Sequence, residues 1–109
     1  MKVSLTKVQT ILPEFVEARL LPVAPPTMKF LIGGALPVVL AKADEMVAQY
    51  LPTLKQFGLV DEQGRLDMEK ASAFIRAGFE KSGSVPLFGF IFKPEDGEAL
   101  IAIMEKYHD

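Results

Sequence analysis

The chain contains no cysteine, no tryptophan and a single histidine. Without cysteine, a disulfide scaffold, a thiolate metal site and a cysteine nucleophile are excluded, and the absence fits a reducing cytoplasm. The one histidine, His108, stands next to the C-terminus, where chain ends are usually frayed, so we interpret it as a surface residue. We therefore expect a cytoplasmic protein with no catalytic residue, no metal and no other cofactor.

An excess of positive charge is also missing. The chain has 12 Lys and Arg against 14 Asp and Glu, which gives a net charge of -2. A general nucleic-acid-binding protein needs cations that replace the counterions on phosphate, so we expect no nucleic-acid partner. No unbroken apolar run precedes Glu14, and we therefore expect no signal peptide.

Apolar residues, by contrast, are plentiful, because they make up 50% of the 109 residues. This length predicts a single domain, residues 1–109, with one core. A domain this small has much surface for its volume. Part of the apolar excess should therefore be exposed, where it would mark an interface or a membrane contact.

The spacing of apolar residues predicts four helical regions, over residues 4–21, 27–57, 68–81 and 94–107. Asp67 is a suitable N-cap for the third region, and Pro94 suits the first turn of the fourth. A proline inside a helix removes a backbone hydrogen bond. We therefore expect a kink or two short helices at Pro13, and a bend or division of the second region at Pro37 or Pro52.

The second region begins with an uncharged stretch, Phe30–Ala41. A helix that is apolar on every face is normally buried on every face, so we expect this one to be central. With 12 residues it is too short to span a bilayer. Small residues recur at intervals of seven, at Gly34, Ala41 and Ala48, and predict a close helix approach. The approaching helix would belong either to the same chain or to a second copy.

Residues 59–66 and 85–92 predict a small β element. Asp61 and Gly64 suit a tight turn. Counted from Asp61, however, the EF-hand's oxygen ligand at position five, glycine at six and glutamate at twelve are replaced by Arg65, Leu66 and Ser72. The segment Phe88–Ile91 matches the centre of the RNP1 signature of RNA-binding domains. Its flanks lack the required basic residue and final aromatic, so we interpret it as a core strand covered by helices on both sides.

Together these patterns predict a mainly α (α+β) domain. Four helical regions would surround the central apolar helix, with a small β-hairpin or short antiparallel sheet beside them. The alternative is an all-α bundle in which the pieces near 59–66 and 85–92 stay irregular.

Residues 29–107 resemble small uncharacterised proteins of bacterial prophage-type gene clusters. The resemblance lies in the order of features: an apolar helix (LIGGALPVVLAKADE), the turn at 60–67, a helix ending at Phe79–Gly83, the strand 87–92 and a final helix. It implies a small cytoplasmic accessory or assembly protein of phage type rather than an enzyme.

We therefore expect a non-catalytic, self-associating interaction protein, whose partner is a second copy or another protein. The candidate interface residues are Phe30, Gly33, Gly34, Ala41 and Ala48. The alternative is a peripheral membrane protein that uses the segment 30–41, although Lys29 and Lys42 beside it are few for electrostatic anchoring. A small enzyme without a recognisable motif is the third hypothesis, and a deep polar pocket would favour it.

Overall fold

The computed structural model describes residues 1–87 and 90–109. Within them, five α-helices and four short strands follow in the order β1 (Lys2–Ser4), α1 (Val8–Phe15), α2 (Pro26–Ala41), α3 (Ala43–Gln56), β2 (Arg65–Asp67), α4 (Met68–Ser82), β3 (Val85–Leu87), β4 (Phe90–Phe92) and α5 (Pro94–Lys106). A π-helical stretch, Val16–Leu20, continues α1, and 3-10 turns lie at Leu5–Lys7 and Leu21–Val23. The predicted class, mainly α with a minor antiparallel β component, is confirmed.

The β component consists of two separate pairs. β1 pairs antiparallel with β2, with Val3 opposite Leu66, and β3 pairs antiparallel with β4, with Val85 opposite Phe92. Both segments in which we predicted β structure contain antiparallel pairing, at the Val60–Leu66 bridge and within residues 85–92. The sequence did not predict that residues 65–67 pair with the N-terminal strand. Strands of three residues are too short for a period-two pattern to reveal that the N-terminus is the partner of residues 65–67.

The core lies where α1, α4, α5 and the β1–β2 pair meet. Its buried members come from all of these elements: Val3, Ile11, Phe15, Met68, Ile101, Ile103 and Met104. The rings of Phe15 and Phe92 stack with centroids 6.4 Å apart, which fixes the β3–β4 hairpin against α1. Gly97 lets α5 approach α4 closely, because a Cβ at this position would lie 2.7 Å from the ring of Phe79.

Local signals place the ends of α4 and α5 correctly. The Asp67 carboxylate accepts hydrogen bonds from the backbone N–H groups of Glu69 and Lys70, as expected of an N-cap. Pro94 begins α5 as predicted, and the Asp96 carboxylate accepts from the backbone N–H of Lys93 at 2.9 Å. Both helices therefore start where side chains satisfy free backbone donors.

Helical spacing in α4 predicts a core face of Met68, Ala71, Phe74, Ile75, Gly78 and Phe79. This prediction is only partly correct. Met68 and Ala71 are buried, and Ile75 is half-buried. Phe74, which we expected in the core, is 60% exposed and instead contacts Phe57, with ring centroids 6.5 Å apart. Because the principal partner of α4 is α5, the edge of its apolar stripe stays open.

The prediction of a central apolar helix is wrong. None of the 16 described residues of α2 is buried, and its principal contact is with α3. The core is built from helices whose apolar side chains lie on one stripe, which tells each helix how to face its neighbours. The apolar sequence of α2 is uniform and defines no such face. Its composition therefore predicts that the helix is poorly hydrated, but not where in the fold the helix lies.

We expected a bend or a division of the second region at Pro37 or Pro52; the division at a proline is wrong, and the bend stays a prediction. Pro37 and Pro52 both lie inside helices, and the chain divides at Lys42 instead, with φ -103° and ψ 3°. The carbonyl that Pro37 leaves without a donor belongs to Gly33, which is exposed to water. Water can replace the missing hydrogen bond there, so the helix continues.

Of the two β4 side chains whose burial the structure describes, one is covered and the other is exposed, whereas we expected cover on both sides. Phe92 packs against Phe15, whereas its neighbour Ile91 is 63% exposed. Phe88 and Gly89, the first two residues of the segment that matches RNP1, lie outside the described residues.

Candidate functional site

The outward face of α2 is the most unusual surface of the described chain. Phe30 is 82% exposed, Leu31 55% and Val38 57%. Gly33 and Gly34 lie between them, and no atom of the described residues comes within 4 Å of a Cβ built on either glycine. A protruding ring thus stands beside a gap without side chains. We call this surface, residues 30–41 on the exposed side of α2, the α2 face.

The opposite side of α2 attaches the helix to the domain. Its half-buried residues are all apolar: Met28, Ile32, Leu36, Val39 and Leu40. At the C-terminal end, Gln9 Nε2 donates to the carbonyl oxygen of Leu40 at 2.7 Å. At the N-terminal end, Met28 lines a cleft together with Ala18 and Leu20. α2 therefore runs back along the first helical segment and presents its other side to solvent.

Four of the five predicted interface residues lie on the exposed part of α2: Phe30, Gly33, Gly34 and Ala41. The fifth, Ala48, is exposed on α3, beyond the break at Lys42. The regular spacing of Gly34, Ala41 and Ala48 thus spans two helices. Packing of another helix of the same chain onto Gly34 is contradicted, because the space over it is open among the described residues. Contact with a second copy stays a prediction.

Charge is sparse on α2 and mixed beside it. Lys29 is the only charged residue of α2, and Lys42 stands at its C-terminal end. Asp44 and Glu45 follow directly in the first turn of α3, where negative charge favours the helix dipole. The α2 face is therefore apolar and carries no strong charge of either sign.

The carboxylate of Asp61 is already engaged in hydrogen bonds with other residues of the chain. One carboxylate oxygen accepts from the backbone N–H groups of Gln63 and Arg65, and the other accepts from Lys2 Nζ and Arg65 Nε at 3.2 Å each. The hydrogen bond from the backbone of Arg65, aided by those from Lys2 and Gln63, lowers the pKa of Asp61 to about 2. Within residues 1–87 and 90–109, no cluster of three or more His, Asp or Glu side chains could hold a metal ion.

A contact that the sequence did not indicate ties the two ends of the chain together. Glu14 Oε1 accepts from Tyr107 Oη at 2.6 Å and from Lys106 Nζ at 2.8 Å. These two hydrogen bonds lower the pKa of Glu14, and the one from Lys106 has the larger effect. Lys106 lies in the last turn of α5 and Tyr107 directly follows it, so the group joins α1 to α5.

Comparisons with protein-family models, with curated proteins and with solved structures find no match to this chain. The resemblance to proteins of prophage-type gene clusters therefore stays a prediction. Among the described helices, none combines the length and the apolar character that crossing a bilayer requires.

Proposed function

We propose that the protein is a non-catalytic interaction module that pairs with a second copy of itself through the α2 face. The exposure of Phe30 beside Gly33 and Gly34 carries this proposal. A bulky ring next to a gap without side chains is self-complementary, because two-fold symmetry can place each ring in the gap of the other copy. A small accessory or assembly protein, as the sequence resemblance implies, would use such a surface.

The spacing of these residues defines a register. Phe30 and Gly34 lie one turn apart on the same side of α2. If the two-fold axis passes between them, an antiparallel second helix sets each Phe30 against the other copy's Gly34. Lys29 then lies level with Ala35 of the other copy rather than with a second lysine, so the pairing brings no like charges together.

The size of the α2 face predicts a weak dimer. Its exposed apolar residues present on the order of 500 Å² per chain, whereas a stable specific interface buries about 800 Å² per partner. We therefore expect association that depends strongly on protein concentration. A dimer of this strength forms where the protein is locally concentrated, as in an assembly.

Charge favours a second copy over a lipid surface. Peripheral helices usually carry several Lys and Arg on their polar side, which attract anionic lipids. Here Lys29 and Lys42 are followed by Asp44 and Glu45, and the whole chain has a net charge of -2. The test must therefore distinguish self-association from membrane association through the α2 face.

Light scattering after size-exclusion chromatography, from micromolar to millimolar protein, tests the proposal. We expect the mass to rise from 12.0 kDa towards twice that value. Gly34→Leu fills the gap and Phe30→Ala removes the ring, so each should keep the mass at the monomer value. Ala102→Leu, which adds the same side chain at an exposed position of α5, should associate like the wild type.

An exchange variant tests the register. Phe30→Ala/Gly34→Phe moves the ring across the proposed axis and should restore association that either single change abolishes. Ala41→Leu should weaken the dimer, since Ala41 lies on the α2 face, and Ala48→Leu should not, since Ala48 lies on α3. A wild type that stays monomeric at millimolar concentration would refute self-association. Co-sedimentation with vesicles of phosphatidylcholine and phosphatidylserine, lost in Phe30→Ala, would then favour the membrane function.

A further inference from the structure

A cavity of about 390 Å³ opens between α4, α5 and the β3–β4 hairpin. Four phenylalanine side chains form much of its wall: Phe15, Phe74, Phe79 and Phe92. Among the described residues of its lining, only Ser82 and Asp96 bring polar side chains to it. The cavity lies on different elements from the α2 face, so its role is independent of self-association.

Two glycines on facing helices explain why the space exists. At Gly97 the helices are in tight contact, because a Cβ there would meet the ring of Phe79. At Gly78, which also lines the cavity, no atom of the described residues lies within 4 Å of a built Cβ. α4 and α5 therefore approach each other at one point, and the missing side chain of Gly78 leaves room beside it.

The charged side chain among the described lining residues, that of Asp96, is already paired. Asp96 Oδ1 accepts from Arg19 Nε at 2.8 Å, and Oδ2 accepts from the backbone N–H of Lys93 at 2.9 Å. The charge of Arg19 balances that of Asp96, and both carboxylate oxygens have donors. A charged ligand group placed in the cavity would lose hydration without gaining a free partner of opposite charge. The ligand that fits is therefore uncharged.

The volume sets the size of that ligand. An apolar cavity of about 150 Å³ takes up benzene, so about 390 Å³ corresponds to roughly fifteen non-hydrogen atoms. This volume also lies in the usual range of small-molecule sites, which are mostly apolar with few polar groups. Aromatic walls favour a flat ring that contacts their faces and edges.

We propose that this cavity binds an uncharged, largely aromatic small molecule of about fifteen non-hydrogen atoms. The binding site is formed by α4, α5 and the hairpin. Ligand binding there stabilises the folded chain, because the ligand binds the native state and not the unfolded one.

Fluorescence titration with N-phenyl-1-naphthylamine, an uncharged aromatic probe that brightens in apolar surroundings, tests the site. We expect saturable binding of one probe per chain and a rise in Tm with probe concentration. Gly78→Leu fills the cavity and should weaken binding at least tenfold. Ala73→Leu, which adds the same side chain at another exposed position of α4 outside the cavity lining, should bind like the wild type.

Two comparisons make the test decisive. 8-Anilino-1-naphthalenesulfonate carries the same ring system with a negative charge and should bind at least tenfold more weakly; equal or tighter binding would overturn the uncharged class. Phe30→Ala removes the most exposed ring of the α2 face and should leave binding unchanged. Probe binding that is lost in Phe30→Ala, or kept in Gly78→Leu, would show that the cavity is not the site.

Discussion

The close approach of α4 and α5 at Gly97 can be measured with a pair of identical substitutions. In Gly97→Ala, the new Cβ would lie 2.7 and 2.9 Å from two ring carbons of Phe79 and 3.2 Å from Ile75 Cγ2. Carbon atoms prefer separations of about 3.5–4.0 Å, so the overlap is close to 1 Å. Because Phe79 borders the cavity, its ring can yield, and we place the overpacking cost at about 1–2 kcal/mol.

The gain in helix propensity from Gly to Ala offsets part of this cost. That gain is about 1 kcal/mol in a helix interior. Gly78→Ala provides the matched control, because it makes the same change in α4, where no described atom lies within 4 Å of the new Cβ. It receives the gain without the clash. The free energies of unfolding of the two variants should therefore differ by about 1–2 kcal/mol, with Gly78→Ala the more stable.

Thermal unfolding followed by circular dichroism is the assay. A difference of this size separates the two Tm values by roughly 5 °C or more. Adding Phe79→Leu should remove most of the penalty of Gly97→Ala, so a double-mutant cycle should show coupling between residues 79 and 97. Equal Tm values for Gly97→Ala and Gly78→Ala, or additive effects in the cycle, would mean that α5 does not contact α4 at Gly97.

Three other contacts give predictions for unfolding measurements. Because the folded pKa of Asp61 is about 2, below the ordinary value of about 3.9, stability should fall with pH from about 4 down to 2, and Asp61→Asn should flatten this part of a Tm–pH curve. Ser72 Oγ is buried without a hydrogen-bond partner among the described residues, so Ser72→Ala should stabilise by about 1 kcal/mol in urea unfolding. Asp67→Ala removes an N-cap and should destabilise by about 1 kcal/mol.

The features predicted correctly from the sequence depend on neighbouring residues. Asp67 caps the helix that begins at Met68, and Pro94 begins the last helix with Asp96 behind it. Gly64, at φ 75°, closes the turn that Asp61 starts. In each case the donor and its acceptor lie within four residues, so the interaction is visible as a short pattern.

The features that the sequence did not predict depend on distant residues. Lys2 pairs with Asp67, and Glu14 accepts from Lys106 and Tyr107 across most of the chain. Phe74 belongs to an apolar stripe, yet the stripe does not reveal how much of it a neighbouring helix will cover. Helix periodicity identifies a face, whereas the partner of that face is determined by tertiary packing.

For α2 too, the sequence did not predict how the helix packs in the fold. The observed packing has a consequence for the proposed function. Phe30 and Gly34 lie on a helix that adds no buried residue to the core. Substitutions on its outward side should therefore alter association while leaving the packing among α1, α4 and α5 intact. For Gly34→Leu the helix propensity even improves. Loss of dimer with an unchanged or raised monomer Tm is thus the result that distinguishes a surface kept for pairing from one kept for folding.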